Sequence, residues 1–480
     1  MLRIVPERSR AVLNLSKGRV QAEFVRSGLD LSESPGPAGR NSVLSTLIES
    51  ATFPGFLWLM LWASINTGWW ALEQVPSNTM GWIEAVRAAG PLLVLVPALV
   101  VLACRSGGQV WRATGPARLW IVYALVGIIG LAVTRQQIAE LYWILAYLSA
   151  FAVVAAYSAG RDVLANVARL NRFSWLVMTG IFLVMVFIAR EQLLVHGESG
   201  WTGYNALYRV YDAKGVWVSR SSGMSRFAAV PGIAAFVLML RVSGWRKVWW
   251  ALPVLGAAVV IYLMQSRGTV VSYAFALAFA MLLMGRHTRA GGAVILALVV
   301  LLAIAGTIPD EVISHIVRDP TTLPTLTNRT VTWHDAWLAA LESPLVGWGP
   351  QADRALLDGQ HAHNTYVYGL LQSGFLGLAF FVAGMIWTWH LFFKLLRDRI
   401  AERLGQRGLL IQTGAILAFF TLRGIPEVSG TLYGVDFLLM LSVLAYFDVL
   451  DREGRRRVQA MHGGPISQGR RAPLEVGRLC

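Results

Sequence analysis

The chain has 480 residues, 55% of them hydrophobic and only 14% charged, with nineteen tryptophans and a mean hydropathy of +0.54. A soluble protein of this size carries about a quarter charged residues, so the composition excludes a soluble enzyme and predicts an all-α integral membrane protein built as one bundle. Its two cysteines, Cys104 and Cys480, exclude a disulfide framework and a cysteine-ligated metal site.

Residues 1–50 contain no apolar run and seven Lys/Arg, which predicts a basic cytoplasmic tail and not a signal peptide or a span. Runs long enough to cross about 30 Å of hydrocarbon follow near 52–72, 82–104, 117–133, 138–157, 173–195, 224–240, 247–264, 269–285 and 291–308. Three more lie near 366–393, 408–422 and 432–449. About 12 transmembrane helices are therefore expected, nine within 51–308 and three within 366–450, with a polar loop at 309–365 and a basic tail at 451–480. The positive-inside rule places most of the 42 Lys/Arg on one side if both termini are cytoplasmic, and then the 309–365 loop faces outward. The net charge of +15 thereby becomes an attraction to anionic lipids at the cytoplasmic face. Arg455-Arg456-Arg457 lacks the aromatic interleaving of a nucleic-acid site, and no nucleic-acid partner is expected.

The outward loop is the longest polar insert between spans. Apolar residues at 333, 337, 340 and 341 predict a helix over 330–342 that stops before Pro344. Next come Pro344-Leu345-Val346-Gly347-Trp348-Gly349 and His361-Ala362-His363-Asn364-Thr365-Tyr366. Asn364 is placed to cap the following helix and hold His363 at its mouth, and His361 is expected to be a supporting neighbour. Residues i and i+2 of an extended segment point the same way, so His361 and His363 could also form a metal pair completed by Asp353 or Asp358. No paired acids stand in the first outward loop near Glu73 to support metal chemistry. Gly374 and Gly377 are expected to allow close helix approach, and Trp69-Trp70 and Trp249-Trp250 to anchor span ends at the interface.

Several arginines lie on the side where few are expected, among them Arg190, Arg209, Arg220, Arg226, Arg267, Arg329 and Arg423. Arg267 falls in a very short outward turn, and Arg226 about one turn inside its span. A charge near mid-membrane costs ~2.5–3.5 kcal/mol on insertion scales, which points to a polar cavity or an anionic ligand; the competing reading is snorkelling to headgroups.

The motifs together resemble the family of bacterial O-antigen ligases and O-antigen or exopolysaccharide polymerases. The resemblance rests on Arg220-Ser221-Ser222-Gly223 opening a span, Ser266-Arg267-Gly268 between two spans, Arg329 ahead of Trp333, the Pro344–Gly349 run, His363-Asn364-Thr365-Tyr366, and Gly374-Phe375-Leu376-Gly377. It implies a polytopic, GT-C-like, metal-independent glycosyltransferase of the bacterial inner membrane, active at the periplasmic face without a cofactor. The donor would be a polyprenyl (undecaprenyl) diphosphate-linked glycan, and the acceptor a hydroxyl of lipid A core or of another lipid-linked glycan.

The residues suit that chemistry. A diphosphate leaves as an anion and needs fixed cations, which arginine supplies bidentately; Arg220, Arg226, Arg267 and Arg329 are the candidates. The acceptor hydroxyl needs a base near neutral pKa, and His363 is the candidate. A twelve-helix transporter or lipid-linked glycan flippase is the alternative, disfavoured because no internal repeat is visible and the large insert lies off-centre.

Overall fold

A computed structural model describes residues 52–65, 77–104, 110–132, 137–160, 162–190, 209–211, 217–264, 266–304, 329–357 and 360–462. The expected tail at 1–50, the part of the expected 451–480 tail beyond 462, Trp69-Trp70 and Asp358 lie outside the described residues, while residues 451–462 are helical. The described chain is almost entirely helical. Its elements are α1 (Thr52–Ser64), α2 (Ser77–Cys104), α3 (Pro116–Gly130), α4 (Gln137–Ser158) and α5 (Val163–Ile188), then strands β1 (Arg209–Tyr211) and β2 (Trp217–Arg220). After these come α6 (Ser221–Arg241), α7 (Arg246–Leu263), α8 (Arg267–Met284), α9 (Arg286–Ile304), α10 (Arg329–Glu342) and α11 (Ala352–Leu356). The chain closes with α12 (Thr365–Arg397), α13 (Ile400–Arg403), α14 (Arg407–Arg423) and α15 (Val435–His462).

Within the described residues, every apolar run read from the sequence overlaps a helix. Among the described residues, six helices are long and apolar enough to cross a membrane, the remaining apolar helices being shorter or carrying more charge. The short hairpin of β1 and β2, antiparallel with Arg209 opposite Arg220, was not expected.

Helices α14 and α15 form the centre. Nearly every residue of α14 from Gly408 to Phe420 is buried, and α15 is buried from Val435 through Leu450. Because protein and not lipid surrounds them, they accept buried polar side chains such as Thr413, Arg423, Asp436, Ser442 and Asp448. Around them α12 packs on α3, α10 and α15, while α8 packs on α9, α14 and α6. The outer helices present wide apolar faces, including Val248, Trp249, Leu252, Leu255 and Val259 of α7 and Leu183, Val184 and Phe187 of α5, as lipid-facing surfaces require.

Helix α12 breaks at Ser373 (φ −135°, ψ 15°) and Gly374 (φ 60°, ψ −169°). The segment 344–349 threads into the break and pairs with the backbone that the kink frees. Phe375 N–H donates to the Pro344 carbonyl (2.7 Å), Trp348 N–H to Leu371 (2.7 Å), and Gly349 N–H to Gln372 (2.9 Å). Gly374 therefore does more than permit helix approach: its ψ lies where only glycine is comfortable, and a β-carbon there would overlap the Leu345 carbonyl. Gly347 (φ 69°) is held in the same way, since its β-carbon would stand 2.6 Å from Gly374 N. The Pro344–Gly349 run is thus a strap across a kinked helix.

The expected helix at 330–342 is present as α10, but its buried face differs from the one expected. Thr332, Ala336 and Ala340 are buried, whereas Trp337 and Leu341 are exposed.

Candidate active site

The loop after the strap brings His363 to the mouth of α12. Asn364 caps that helix, its side-chain oxygen accepting from Tyr366 N–H (2.8 Å) and Val367 N–H (3.0 Å). His363 itself has φ 46°, a left-handed conformation uncommon outside glycine. Tertiary contacts hold it there: Trp333 Nε1–H donates to the Ala362 carbonyl (2.7 Å), and Thr365 N–H to the Gly424 carbonyl (2.9 Å).

The other half of the site is the loop between α14 and α15, residues 424–434, folded into the bundle. Buried tyrosines pin it, Tyr123 donating to the Thr431 carbonyl and Tyr147 to the Gly430 carbonyl, each at 3.0 Å. Thr365 Oγ1 accepts from Ser429 N–H (2.8 Å) and donates to the Glu427 carbonyl (3.1 Å). This loop presents Glu427, whose Oε2 lies 3.0 Å from His363 Nδ1 and whose Oε1 accepts from Arg329 at 3.0 Å. Arg329 also donates to the Pro426 carbonyl. A single carboxylate therefore joins the candidate base to one of the candidate cations.

Burial pushes the Glu427 carboxyl up, but the hydrogen bond from His363 and the charges of Arg423 and Arg329 outweigh it and hold the group far below the usual carboxylate range. Burial pushes the His363 imidazole down; Glu427 opposes this, while His361 and Arg329 add to it, and the net position is below the ordinary histidine value. An ionised Glu427 beside a neutral imidazole requires the ring proton on Nδ1, because a carboxylate can only accept. Nε2 is then left with the lone pair, and the tautomer is set as in other His–carboxylate pairs.

Deeper in the bundle, Asp436 at the start of α15 gathers two arginines. Arg423 donates to its Oδ2 at 2.7 Å and Arg226 to its Oδ1 at 2.9 Å, with Ser429 Oγ also donating at 2.8 Å. Arg423 and Asp436 are almost fully buried. The Nε–H groups of Arg226 and Arg423 are buried without an acceptor among the described residues. Arg226, Arg329 and Arg423 together face two carboxylates, so positive charge is in excess. Arg267 opens α8 at the same loop, since a β-carbon on Gly268 would stand 2.7 Å from Pro426 Cγ. Arg220 ends β2 and leads directly into α6, which carries Arg226; its side chain lies outside the described residues.

His361 belongs to a second pair. Its Nδ1 is 2.5 Å from Asp353 Oδ2, which also accepts from Ala362 N–H at 3.1 Å. Burial raises the Asp353 carboxyl, but the hydrogen bond with His361 prevails and holds it below the usual range. The two imidazoles lie side by side, centroids 5.0 Å apart, yet each engages a different carboxylate. Among the described residues no group of three or more His, Cys, Asp or Glu could hold a metal ion. The Arg354 backbone N–H also donates to Asp353, at 3.0 Å.

Glu427 and Asp436 were not read from the sequence as site residues, and Arg423 only as one of several misplaced arginines. The available signal was Arg423-Gly424-Ile425-Pro426-Glu427, a charged pair around a helix-stopping Gly and Pro where a span ends. Nothing local joins it to a histidine 64 residues earlier.

Residues 252–382 match a family model described as O-antigen ligase, while no curated protein matches the chain. The matched segment runs from within α7 to the middle of α12 and contains Arg267, Arg329, His361, His363, Asn364, the strap and the kink; Glu427 and Asp436 lie beyond it. Over residues 252–382 the chain is therefore similar to the O-antigen ligase family, and together with the six long apolar helices among the described residues this supports a membrane protein of glycosyltransferase-like type.

Proposed function

We propose that the protein transfers a glycan from a polyprenyl diphosphate to an acceptor hydroxyl at the periplasmic face of the bacterial inner membrane, with lipid A core or another lipid-linked glycan as acceptor. The observation that carries this reading is the His363–Glu427–Arg329 constellation set against the buried arginines at Asp436. His363 Nε2 takes the hydroxyl proton as the acceptor oxygen attacks the anomeric carbon, and Glu427 stabilises the imidazolium that forms. The bond from that carbon to the diphosphate oxygen breaks, and the departing anion is held by arginine. Arg329 and Arg267 stand at the Glu427 loop, and Arg226 and Arg423 lie deeper; Arg220 completes the proposed set. The acceptorless Nε–H groups of Arg226 and Arg423 support a site whose positive charge exceeds its own carboxylates. In this reaction the arginines neutralise the leaving group, so neither metal nor cofactor takes part.

The test is transfer from a purified polyprenyl-diphosphate glycan in detergent, with donor binding followed in parallel. His363→Ala is expected to lose ~10²–10⁴-fold in transfer, the usual worth of a positioned general base, and to keep donor binding. His361→Ala is expected to lose much less, and chelators to have no effect. Normal transfer by His363→Ala would eliminate the base assignment. Inhibition by chelators that added metal reverses would revive the metal pair of His361 and His363.

A further inference from the structure

Helix α10 has three faces. Thr332, Ala336 and Ala340 are buried, the two alanines in the same cluster as Tyr368, Leu370 and Leu371 of α12. At 100° per residue, Asp335 and Glu342 form one flank of the remaining surface and Trp337 and Leu341 the other, with Val331 and Leu338 between and the exposed Thr330 and His334 set among the apolar side chains. The apolar members are strongly exposed: Val331 by 56%, Leu338 by 51%, Leu341 by 48%, and Leu345 just beyond the helix by 70%. So large a run of exposed aliphatic side chains on one helix marks an interaction surface.

Its neighbours indicate which partner covers it. Trp337 sits edge-on against Phe375, with ring centroids 5.9 Å apart. Phe375 is itself exposed and belongs to α12, one of the helices able to cross a membrane. The apolar face of α10 is therefore continuous with a lipid-facing surface, while the acidic flank turns away from it. A helix with one apolar and one charged exposed side, joined to a spanning surface through tryptophan, has the pattern of an element lying in a membrane interface.

We propose that α10 lies in the surface of the bilayer, with Val331, Trp337, Leu338, Leu341 and Leu345 inserted among phospholipids at the headgroup boundary, and that this fixes the height of the catalytic groups. The leaflet concerned is the periplasmic one, so the proposal rests on the outward orientation argued above. Arg329 is the first residue of α10 and is bonded to Glu427, which holds His363; Trp333 of the same helix is bonded to the backbone at Ala362. The depth of α10 thus sets the depth of both guanidinium and imidazole. A lipid-linked diphosphate is confined by its own chain to the headgroup level, and reacting groups must meet it there.

The test uses the full chain with Cys104 and Cys480 replaced by Ser, a nitroxide attached at Leu338→Cys or Asp335→Cys, and one protein per nanodisc of phosphatidylethanolamine and phosphatidylglycerol. The label at 338 is expected to collide preferentially with oxygen, and the label at 335 with a water-soluble nickel chelate. Nickel-dominated collisions at both positions would overturn the proposal. So would dipolar broadening at 338 in vesicles holding several copies, which would make this face a contact between chains. In a parallel assay, Leu338→Glu/Leu341→Glu is expected to raise KM for the lipid-linked donor several-fold with little change in kcat, and an unchanged KM would remove the link to catalysis. The collision measurement needs no turnover, so it stands or falls separately from the glycosyl-transfer reading.

Discussion

His363 and Glu427 show how a single distance assigns chemistry. With Nδ1–H committed to Glu427 at 3.0 Å, only Nε2 remains to accept a proton, and the low position of the imidazole keeps it neutral. The pH dependence follows with its sign. Burial lowers the imidazole and Glu427 raises it, so wild-type kcat/KM should fall only below the ordinary histidine value of about 6.5. Glu427→Gln removes the raising influence, so the acidic limb should move to still lower pH. The plateau should nevertheless drop, because an amide can pair with either tautomer. An acidic limb moving upward, measured as kcat/KM against pH, would contradict this. Asp436 makes a second prediction at this scale. Removing one partner of a buried ion pair costs about 3–5 kcal/mol, and Asp436→Ala would take from both Arg226 and Arg423 the carboxylate they are bonded to. A marked loss of thermal stability in detergent is expected, well beyond that of a surface Asp335→Ala.

Among the elements, the strap and the kinked α12 behave as one unit. Without the 344–349 segment, the N–H groups of Phe375 and Leu376 and the carbonyls of Leu371 and Gln372 would lack these partners inside a membrane protein, where an unsatisfied backbone group is costly. Without the kink, the strap would have no groove. Gly374→Ala places a β-carbon on the Leu345 carbonyl and forces a conformation worth about 1–3 kcal/mol of strain. Destabilisation of at least that size is expected, with reduced transfer because α12 also carries the Asn364 cap beneath His363. Thermal unfolding of Gly374→Ala beside Gly377→Ala separates the two glycines. Gly377 meets the Ser373 and Tyr123 side chains and has helical backbone, so its substitution tests packing alone.

At the scale of the whole molecule, the proposed reaction requires His363, Glu427 and the arginines to share one face of the membrane. Reporter fusions after residues 165, 290, 400 and 460 are expected to report cytoplasm, and one near 340 periplasm. A cytoplasmic signal near 340 would put the site on the wrong side of the bilayer for a periplasmic acceptor. The central position of α14 and α15 adds a consequence. The loop that carries Glu427 is pinned from several directions, by Tyr123, Tyr147 and Thr365, so the carboxylate is presented on a rigid support.

What the sequence determined by itself was set by contrasts that act locally. Hydropathy marked the six described helices that are long and apolar enough to cross a membrane, because a segment in lipid must be apolar along its own length. Pro344 ended α10, and an Asn before the Thr365-Tyr366 turn predicted its own cap. The histidine and arginine motifs were legible for the same reason, as short runs of fixed chemistry. Only the tertiary structure decided that Glu427 orients His363, that Asp436 collects Arg226 and Arg423, that Gly374 breaks α12 around a strap, and that Trp337 and Leu341 of α10 stay exposed. Each of these depends on which helix ends meet across tens or hundreds of residues. Periodicity gives a helix an apolar side, but whether protein or lipid covers that side is settled by its neighbours.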